Sequence, residues 1–195
     1  DGGWDWGNNV ALSSSARLVH CTVARNTSPG VSGGNGVYVE YASSADIVDS
    51  IFWGNGDDFY LREDGVALTA VYTLSAEETA GEGNFNADPL FAAPDAGDFH
   101  LRSAAGRWDP TADGGAGGWV IDAVTSPAID RARTAAPYSL ETIPNGHRAN
   151  LGAYGNTRQA SRSPHSERTT KGPAQQSRNQ HITTNNTNPD TNGHE

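Results

Sequence analysis

Apolar and polar residues alternate along two segments of the chain that repeat one another. Residues 16–26, ARLVHCTVARN, return as residues 45–55, ADIVDSIFWGN, at a constant offset of 29 residues. Each copy has the period-2 alternation of a β-strand with one buried face, and Val19, Cys21 and Val23 occupy the predicted inner positions of the first copy. A repeat of this length is typical of stacked supersecondary units. The pattern therefore predicts two parallel strands, in register, on neighbouring coils of a solenoid.

Polar side chains fill the opposite face of the two predicted strands. In the register set by the repeat, Arg17 lies over Asp46 and His20 lies over Asp49. We interpret this face as solvated, with cross-strand pairs that each contribute roughly a few tenths of a kcal/mol, and we expect Asp46 to neutralise Arg17. Two carboxylates are fewer than the roughly 6–8 oxygen ligands of a Ca²⁺ site, although turn carbonyls and water could add ligands.

Short apolar runs elsewhere extend the coil pattern. Residues 10–13 and 36–40 are predicted to be equivalent strands of two successive coils. Residues 58–61 and 67–74 supply the strands of a third coil and are joined by a turn at residues 63–65. No stretch of ten or more residues has a helical period, and the 23 glycines are typical of an all-β chain with many turns.

Two further repeat positions have structural interpretations. Asn26 recurs as Asn55 at the turn that ends each copy, and we expect the stacked amides to hydrogen-bond from coil to coil. Cys21 recurs as Ser50 and is the one cysteine of the sequence, which excludes an internal disulfide. Its strand position predicts a small buried side chain.

Past residue 76 the alternation gives way to apolar pairs set between turns. The ordered motifs are NFNADPLF at 84–91, GDFHL at 97–101, AGRWDP at 105–110, WVID at 119–122, SPAID at 126–130 and PNGHRANLGAYGNT at 144–157. This run resembles the C-terminal part of bacterial right-handed parallel β-helix repeat proteins, over roughly residues 16–161. Two departures from the family pattern, at residues 131–133 and at His147, weaken turn conformations that the family forms with glycine.

The resemblance implies an exported bacterial protein with a pectate-lyase-like solenoid, and it implies that the motifs close one end of the fold. The predicted fold class is all-β: a fragment of a right-handed parallel β-helix with an irregular C-terminal capping region and a disordered tail. We place the coils in residues 1–80, the closing region in residues 81–160 and the tail in residues 161–195. The tail is rich in Ser, Thr, Asn and Gln and has too few apolar residues to offset its ordering entropy. The lack of any methionine favours a processed or truncated chain.

The net charge of the chain narrows the classes of molecule that it is expected to bind. The net charge is −10, and residues 1–160 carry nine basic and twenty acidic side chains. An acidic body of this kind argues against a nucleic acid or an anionic membrane as partner. No run approaches the roughly 18 apolar residues of a membrane span. We expect a monomer that is secreted or held at the cell surface.

The resemblance also suggests where chemistry would lie. Lyases on this fold work on the outer face of one stacked sheet, where carboxylates hold Ca²⁺ and an Arg or Lys abstracts a proton. The candidate ligand-binding residues of this chain are Arg25, Trp53, His20 and Asp49, with Trp53 as an aromatic platform for a sugar ring. No catalytic residue and no metal ligand is assigned, and Ca²⁺ is the one cofactor that we consider.

Two functions fit these residues. The first is an extracellular β-helix segment that acts as a structural or glycan-binding surface module. The alternative is the C-terminal end of a polysaccharide lyase or glycoside hydrolase that acts on an acidic polysaccharide. The predicted sheet face offers few carboxylates and no lysine, so we expect no catalysis by this segment alone.

Overall fold

The computed structural model describes residues 14–27, 36–62 and 65–164, which are mostly β-structure with almost no helix. Parallel strands form the first half of this part of the chain, and antiparallel pairs follow. The strands are β1 (Ser15–Val19), β2 (Thr22–Ala24), β3 (Val37–Val39), β4 (Ser44–Val48), β5 (Ile51–Trp53), β6 (Phe59–Leu61), β7 (Ala67–Val71), β8 (Leu74–Ser75), β9 (Phe91–Ala93), β10 (Asp98–Leu101), β11 (Arg107–Asp109) and β12 (Gly118–Val120). Helical structure is limited to a 3₁₀ turn at Pro94–Ala96 and one turn at Ala112–Gly115.

Three parallel sheets are built from equivalent strands of the repeating segments, which we call coils. Their strand orders are β1-β4-β7, β2-β5-β8 and β3-β6. Arg17 pairs with Asp46 and Val23 pairs with Phe52, so the register that the 29-residue repeat predicts is confirmed. The strands predicted at residues 58–61 and 67–74 are present as β6, β7 and β8 and pair in parallel with the preceding strands. This third repeat is shorter, since Asp46 pairs onward with Thr69, 23 residues later.

Each long predicted strand is in fact two short strands separated by a sharp corner. The corner residues His20, Asp49 and Tyr72 are stacked at equivalent positions, and all three have left-handed backbone conformations, with φ near 50°. A residue in this conformation breaks the extended chain, and it is uncommon for any residue except glycine. The bend also resets the alternation of side chains. The prediction of continuous strands is therefore wrong at this corner.

The prediction that Val19, Cys21 and Val23 share one buried face fails for the same reason. Val19 is 36% exposed and Cys21 is half-buried, with its backbone N–H donating to Ser50 Oγ at 3.0 Å. Leu18, the residue before Val19, instead packs together with Val23 against the buried cluster inside the coils. The strand pattern predicted the right strand partners and the inward position of Val23, but it was wrong for Val19 and Cys21 because it carried no signal for the corner.

Two apolar clusters form the core. The first lies within the coil stack around Ile47, Phe52 and Ala70. The second joins the stack to the closing region, with Ile51 and Leu74 on the stack side. Its remaining buried members come from the closing region: Phe91, Leu101, Ala128, Ile129, Ala132, Ala136, Ala149 and Leu151. The closing region thus covers the outer side of the β2-β5-β8 sheet.

The closing region is irregular, as predicted. A single parallel bridge from Leu74 to Phe85 continues the stack, after which β9 pairs with β10 and β11 pairs with β12, both antiparallel. The ordered packing continues past residue 160. Ser161 and Ser163 are buried, and Ser163 N donates to Pro144 O at 2.7 Å, so these residues belong to the closing region and not to the predicted tail.

Some predictions lie outside the described residues. These are the strand at residues 10–13, most of the turn at residues 63–65 and the tail from residue 165 onward. In the part of the chain that is described, no helix has the length and apolar character that crossing a bilayer requires.

The predicted asparagine ladder is confirmed. Asn55 Oδ1 accepts from Asn26 N at 3.1 Å and from Asn26 Nδ2 at 3.0 Å. Its Nδ2 donates to Val23 O and to Asp58 Oδ1, both at 2.9 Å. Asn55 is fully buried, so one side chain without access to water makes four bonds, three of which reach the preceding repeat.

Replacing Asn55 with alanine should therefore destabilise the stack much more than replacing Asn26. Asn55→Ala leaves buried donors and acceptors unpaired and should lower the free energy of unfolding by about 2 kcal/mol. Asn26 is exposed, and Asn26→Ala should cost less than about 0.5 kcal/mol. Urea denaturation of both variants measures the difference. Equal losses would show that the ladder does not hold the coils together.

Candidate functional site

The structure divides the four predicted ligand-binding residues into two separate places. Arg25 and Trp53 line a surface groove at the edge of the β2-β5-β8 sheet. His20 and Asp49 lie at the strand corner, where the closing region covers them. The sequence placed all four on one solvated face, which the corner and the closing region together prevent.

The groove combines an aromatic side chain with cationic and acidic ones. Trp53 ends β5 and pairs with Ala24, so the register brings the next residue, Arg25, beside Trp53. An ion pair joins Arg25 Nη2 to Asp95 Oδ1 at 2.5 Å, and both side chains are well exposed. The groove has a volume of about 570 Å³.

Residues of the closing region form the far wall of the groove. They are Asp88, Leu90, Phe91, Pro94 and Arg102. The carboxylate of Asp88 accepts from Leu90 N at 2.8 Å, and Arg102 Nη2 donates to Ala92 O at 3.2 Å, so both side chains are held by the backbone. Sequence reasoning missed this wall because it interpreted the NFNADPLF motif as closure alone.

The second place is a buried ion cluster around Asp49, whose side chain is 0% exposed. Arg133 N donates to Asp49 Oδ1 at 2.7 Å, and Arg133 Nε lies 3.0 Å from Oδ2. His20 Nε2 lies 3.8 Å from the same Oδ2. The backbone of Asp49 is engaged too, since Gly152 N donates to Asp49 O at 3.0 Å. Asp49 therefore fastens the closing region to the coils, and the prediction that it is solvated is wrong.

His20 is kept neutral by its surroundings. Burial lowers its pKa below the ordinary value of 6.5, and the positive charge of Arg133 lowers it further, while Asp49 opposes both. A neutral imidazole avoids a second buried cation beside the Asp49–Arg133 pair. The cluster is thus arranged for stability and is closed to a large ligand.

Arg17 and Asp46 are register partners on neighbouring strands, but the predicted ion pair between their side chains does not form. Asp46 instead accepts a hydrogen bond from the hydroxyl of Thr69 on the next coil. Asp46 is exposed whereas Asp49 is buried in its own ion pair, so the two carboxylates do not converge. Across the described ranges, no three His, Cys, Asp or Glu side chains are grouped so that they could hold a metal ion.

One family model matches the chain. It is described as "Disaggregatase related", a β-rich domain family, and it matches residues 55–132. This segment is less than half of the chain and includes the third coil, the wall of the groove and part of the closing region. No curated protein matches the chain. No solved structure matches it either.

Proposed function

We propose that the coils belong to a right-handed parallel β-helix of the pectate-lyase-like kind, and that the closing region ends it. Three observations support this. The strands of successive coils are parallel and in register, the corner residues stack, and side chains form ladders such as Asn26 over Asn55. Each of these features is expected when one supersecondary unit is stacked on the next.

We infer that this segment is an extracellular surface module and that the groove binds a glycan. The observation that carries the proposal is the position of Trp53 beside Arg25 and opposite Arg102 and Asp88. Sugar rings present an apolar face, which suits an aromatic platform, and hydroxyls, which suit fixed charged groups. The family description names no ligand, so the proposal rests on the groove.

The charges of the groove favour an acidic sugar. The pair between Arg25 and Asp95 is exposed, and pairs of this kind contribute only about 0–1 kcal/mol. A ligand carboxylate can therefore take the place of Asp95 at the guanidinium with little loss. Arg102 offers a second cation on the opposite wall. The net negative charge of the chain limits non-specific attraction of an acidic sugar to the rest of the surface, so binding depends on the groove itself.

The arrangement favours binding over catalysis by this segment. Cleavage of a polysaccharide requires a base and carboxylates that converge on one sugar. Asp88 is the one carboxylate among the groove-lining residues, and its oxygen is occupied by a backbone N–H. His20 and Asp49 are enclosed elsewhere. We therefore propose that a lyase or hydrolase active site, if the whole protein has one, is built from other coils.

Loss of the Trp53 platform should weaken glycan binding by about tenfold or more, since an aromatic stack and its burial together contribute more than about 1.4 kcal/mol. Calorimetric titration with oligogalacturonate, chondroitin and cello-oligosaccharides measures the affinity of Trp53→Ala and Arg25→Gln. Tyr38→Ala is the matched control, because Tyr38 is an exposed aromatic residue stacked on Tyr60, away from the groove.

Trp53 also packs against the core, so a loss of binding in Trp53→Ala has misfolding as a second explanation. Arg25→Gln is the second groove variant and separates the two explanations. The same mixtures, with and without Ca²⁺, are monitored for the absorbance of unsaturated products. No affinity for any of the sugars, or an equal loss in Tyr38→Ala, would refute the binding site. Sustained turnover would refute the binding module and establish the enzyme.

A further inference from the structure

A second, smaller pocket lies where the coil stack meets the closing region, and it is lined by different residues from the groove. Its volume is about 160 Å³. The stack side provides Tyr72, a corner residue, while the closing region provides Arg131 and Arg148. Gly83, Asn84 and Phe85 complete the lining. A Cβ at Gly83 would overlap the ring of Tyr72, so glycine permits this close wall.

Both guanidinium groups of the pocket lie over aromatic rings. The Arg131 guanidinium carbon is 4.9 Å from the centroid of Phe85, and that of Arg148 is 5.6 Å from the centroid of Tyr72. Arg148 is further fixed by hydrogen bonds to the carbonyls of Ala132 and Arg131. Stacking and carbonyl contacts hold the two cations in place but neutralise neither of them.

These two arginines lack acidic partners in a strongly acidic chain. Four other described arginines are paired: Arg25 with Asp95, Arg62 with Glu40, Arg107 with Asp98 and Asp122, and Arg133 with Asp49. The remaining described arginines, Arg17, Arg102, Arg158 and Arg162, have no described carboxylate partner either, but none of them lines this pocket. Within the described residues, no carboxylate oxygen lies within 4.0 Å of Arg131 or Arg148. Nor does any described side chain or backbone carbonyl accept a hydrogen bond from the Arg131 guanidinium. Two fixed guanidinium groups thus line one small pocket, and some of their N–H donors have no acceptor among the described residues.

We propose that this pocket binds a small oxyanion: the sulfate, phosphate or carboxylate group of a larger ligand. Guanidinium groups present planar donor sets that match such oxygens, and charge-assisted bonds of this type are the strong ones. The pocket is well below the roughly 300 Å³ at which sites for drug-sized ligands begin, so it accommodates one charged group and not a whole sugar chain. The proposal is independent of glycan binding in the groove, because the two sites share no lining residue.

The test follows the full chain by ¹H–¹⁵N NMR during titration with sodium sulfate, sodium phosphate or sodium glucuronate. Sodium chloride keeps the ionic strength constant. We expect saturable shifts at the Arg131 Nε–H and at the amides of Tyr72 and Phe85. The anion that saturates at the lowest concentration identifies the group that the pocket prefers.

Arg131→Gln should weaken binding by about tenfold or more, since a charge-assisted hydrogen bond contributes at least this much. The Arg131 guanidinium lies over the Phe85 ring and forms no ion pair within the described residues, so this variant should fold. Arg158→Gln removes the same charge at an exposed position and should change the affinity less than about twofold. Arg148→Lys should give an intermediate loss, because it retains the charge without the planar donors.

Two results would overturn the proposal. One is a shift that grows linearly with every anion and does not saturate. The other is an equal loss of affinity in Arg131→Gln and Arg158→Gln, which would mean that the anion responds to overall charge.

Discussion

Asp49→Ala should lower the free energy of unfolding by about 3 kcal/mol, because it removes one partner of a buried ion pair. The variant leaves the backbone N–H of Arg133 without its acceptor and removes the carboxylate oxygen that lies 3.0 Å from Arg133 Nε. The Arg133 side chain is 34% exposed and can turn partly to water, which keeps the expected loss at the low end for such pairs. It also removes the closest contact that holds residue 133 to the coils.

Asp46→Ala is the matched control for this prediction. Asp46 lies three residues earlier on the same predicted face, but it is exposed and bonded to Thr69. Its removal should change stability by about 0.5 kcal/mol or less. Denaturation by guanidinium chloride at pH 7 compares the two variants, with constant slopes showing that the unfolded states are alike. A loss in Asp46→Ala as large as in Asp49→Ala would contradict the assignment of Asp49 as the fastening residue.

Glu141 should make the protein less stable as the pH rises from about 4.5 to 7. Its carboxyl is 5% exposed, and burial raises the pKa from 4.5 to about 7. The backbone N–H groups of Asn156 and Asn150 donate to Oε1 at 2.8 and 2.9 Å and oppose the shift, while Asp130 adds to it. The second oxygen, Oε2, accepts no bond from any described residue. Protonation of this oxygen avoids a buried, half-paired charge.

The sign follows from the number of protons bound in each state. Below pH 4.5 both states hold the proton of Glu141, and its contribution to stability is fully present. Between pH 4.5 and 7 the unfolded chain releases the proton while the folded chain retains it, so stability falls. The shift of about 2.5 pKa units corresponds to a loss of about 3 kcal/mol above pH 7. His20 acts in the opposite direction, because its lowered pKa costs stability as the pH falls below 6.5.

The comparison with Glu141→Gln isolates this effect. Glutamine keeps an acceptor for the two backbone bonds and cannot ionise, and the contribution of His20 is common to both proteins and cancels. The stability of the variant relative to the parent should therefore increase by about 3 kcal/mol between pH 4.5 and 8. Glu78→Gln, at an exposed position, should show no such change. A difference that stays constant with pH would mean that folding does not raise the pKa of Glu141.

The repeat predicted the architecture of the coils well because strand pairing depends on periodic local residues. The partner of each strand, its parallel direction and the Asn26–Asn55 ladder all follow from one constant offset. The corner at His20 and Asp49 could not be predicted in the same way. Neither residue is a glycine, and the enrichment of histidine and aspartate at positive φ is too weak a signal to place a corner within an alternating strand pattern.

The candidate site was only half predictable for a different reason. Arg25 and Trp53 are neighbours through strand pairing, so the repeat could place them together. The residues that complete the groove, Asp88 and Arg102, come from an irregular segment in which no periodicity connects sequence to position. The same is true of Arg133, which reaches Asp49 from a turn. Contacts between a repeat and a non-repeating segment depend on tertiary packing alone.

The contact between Asp49 and Arg133 spans 84 residues of chain, and that between Thr22 and Ala153 spans 131. Such distant pairings make folding slow, since a large loop must close before the contacts form. During synthesis the coils leave the ribosome first. The apolar surface around Ile51 and Leu74 then stays uncovered until Ala128, Ile129 and Leu151 have been made and pack on it. The nascent chain therefore has an exposed sheet face until residues 128–151 have been made, and in this interval the uncovered apolar surface favours aggregation.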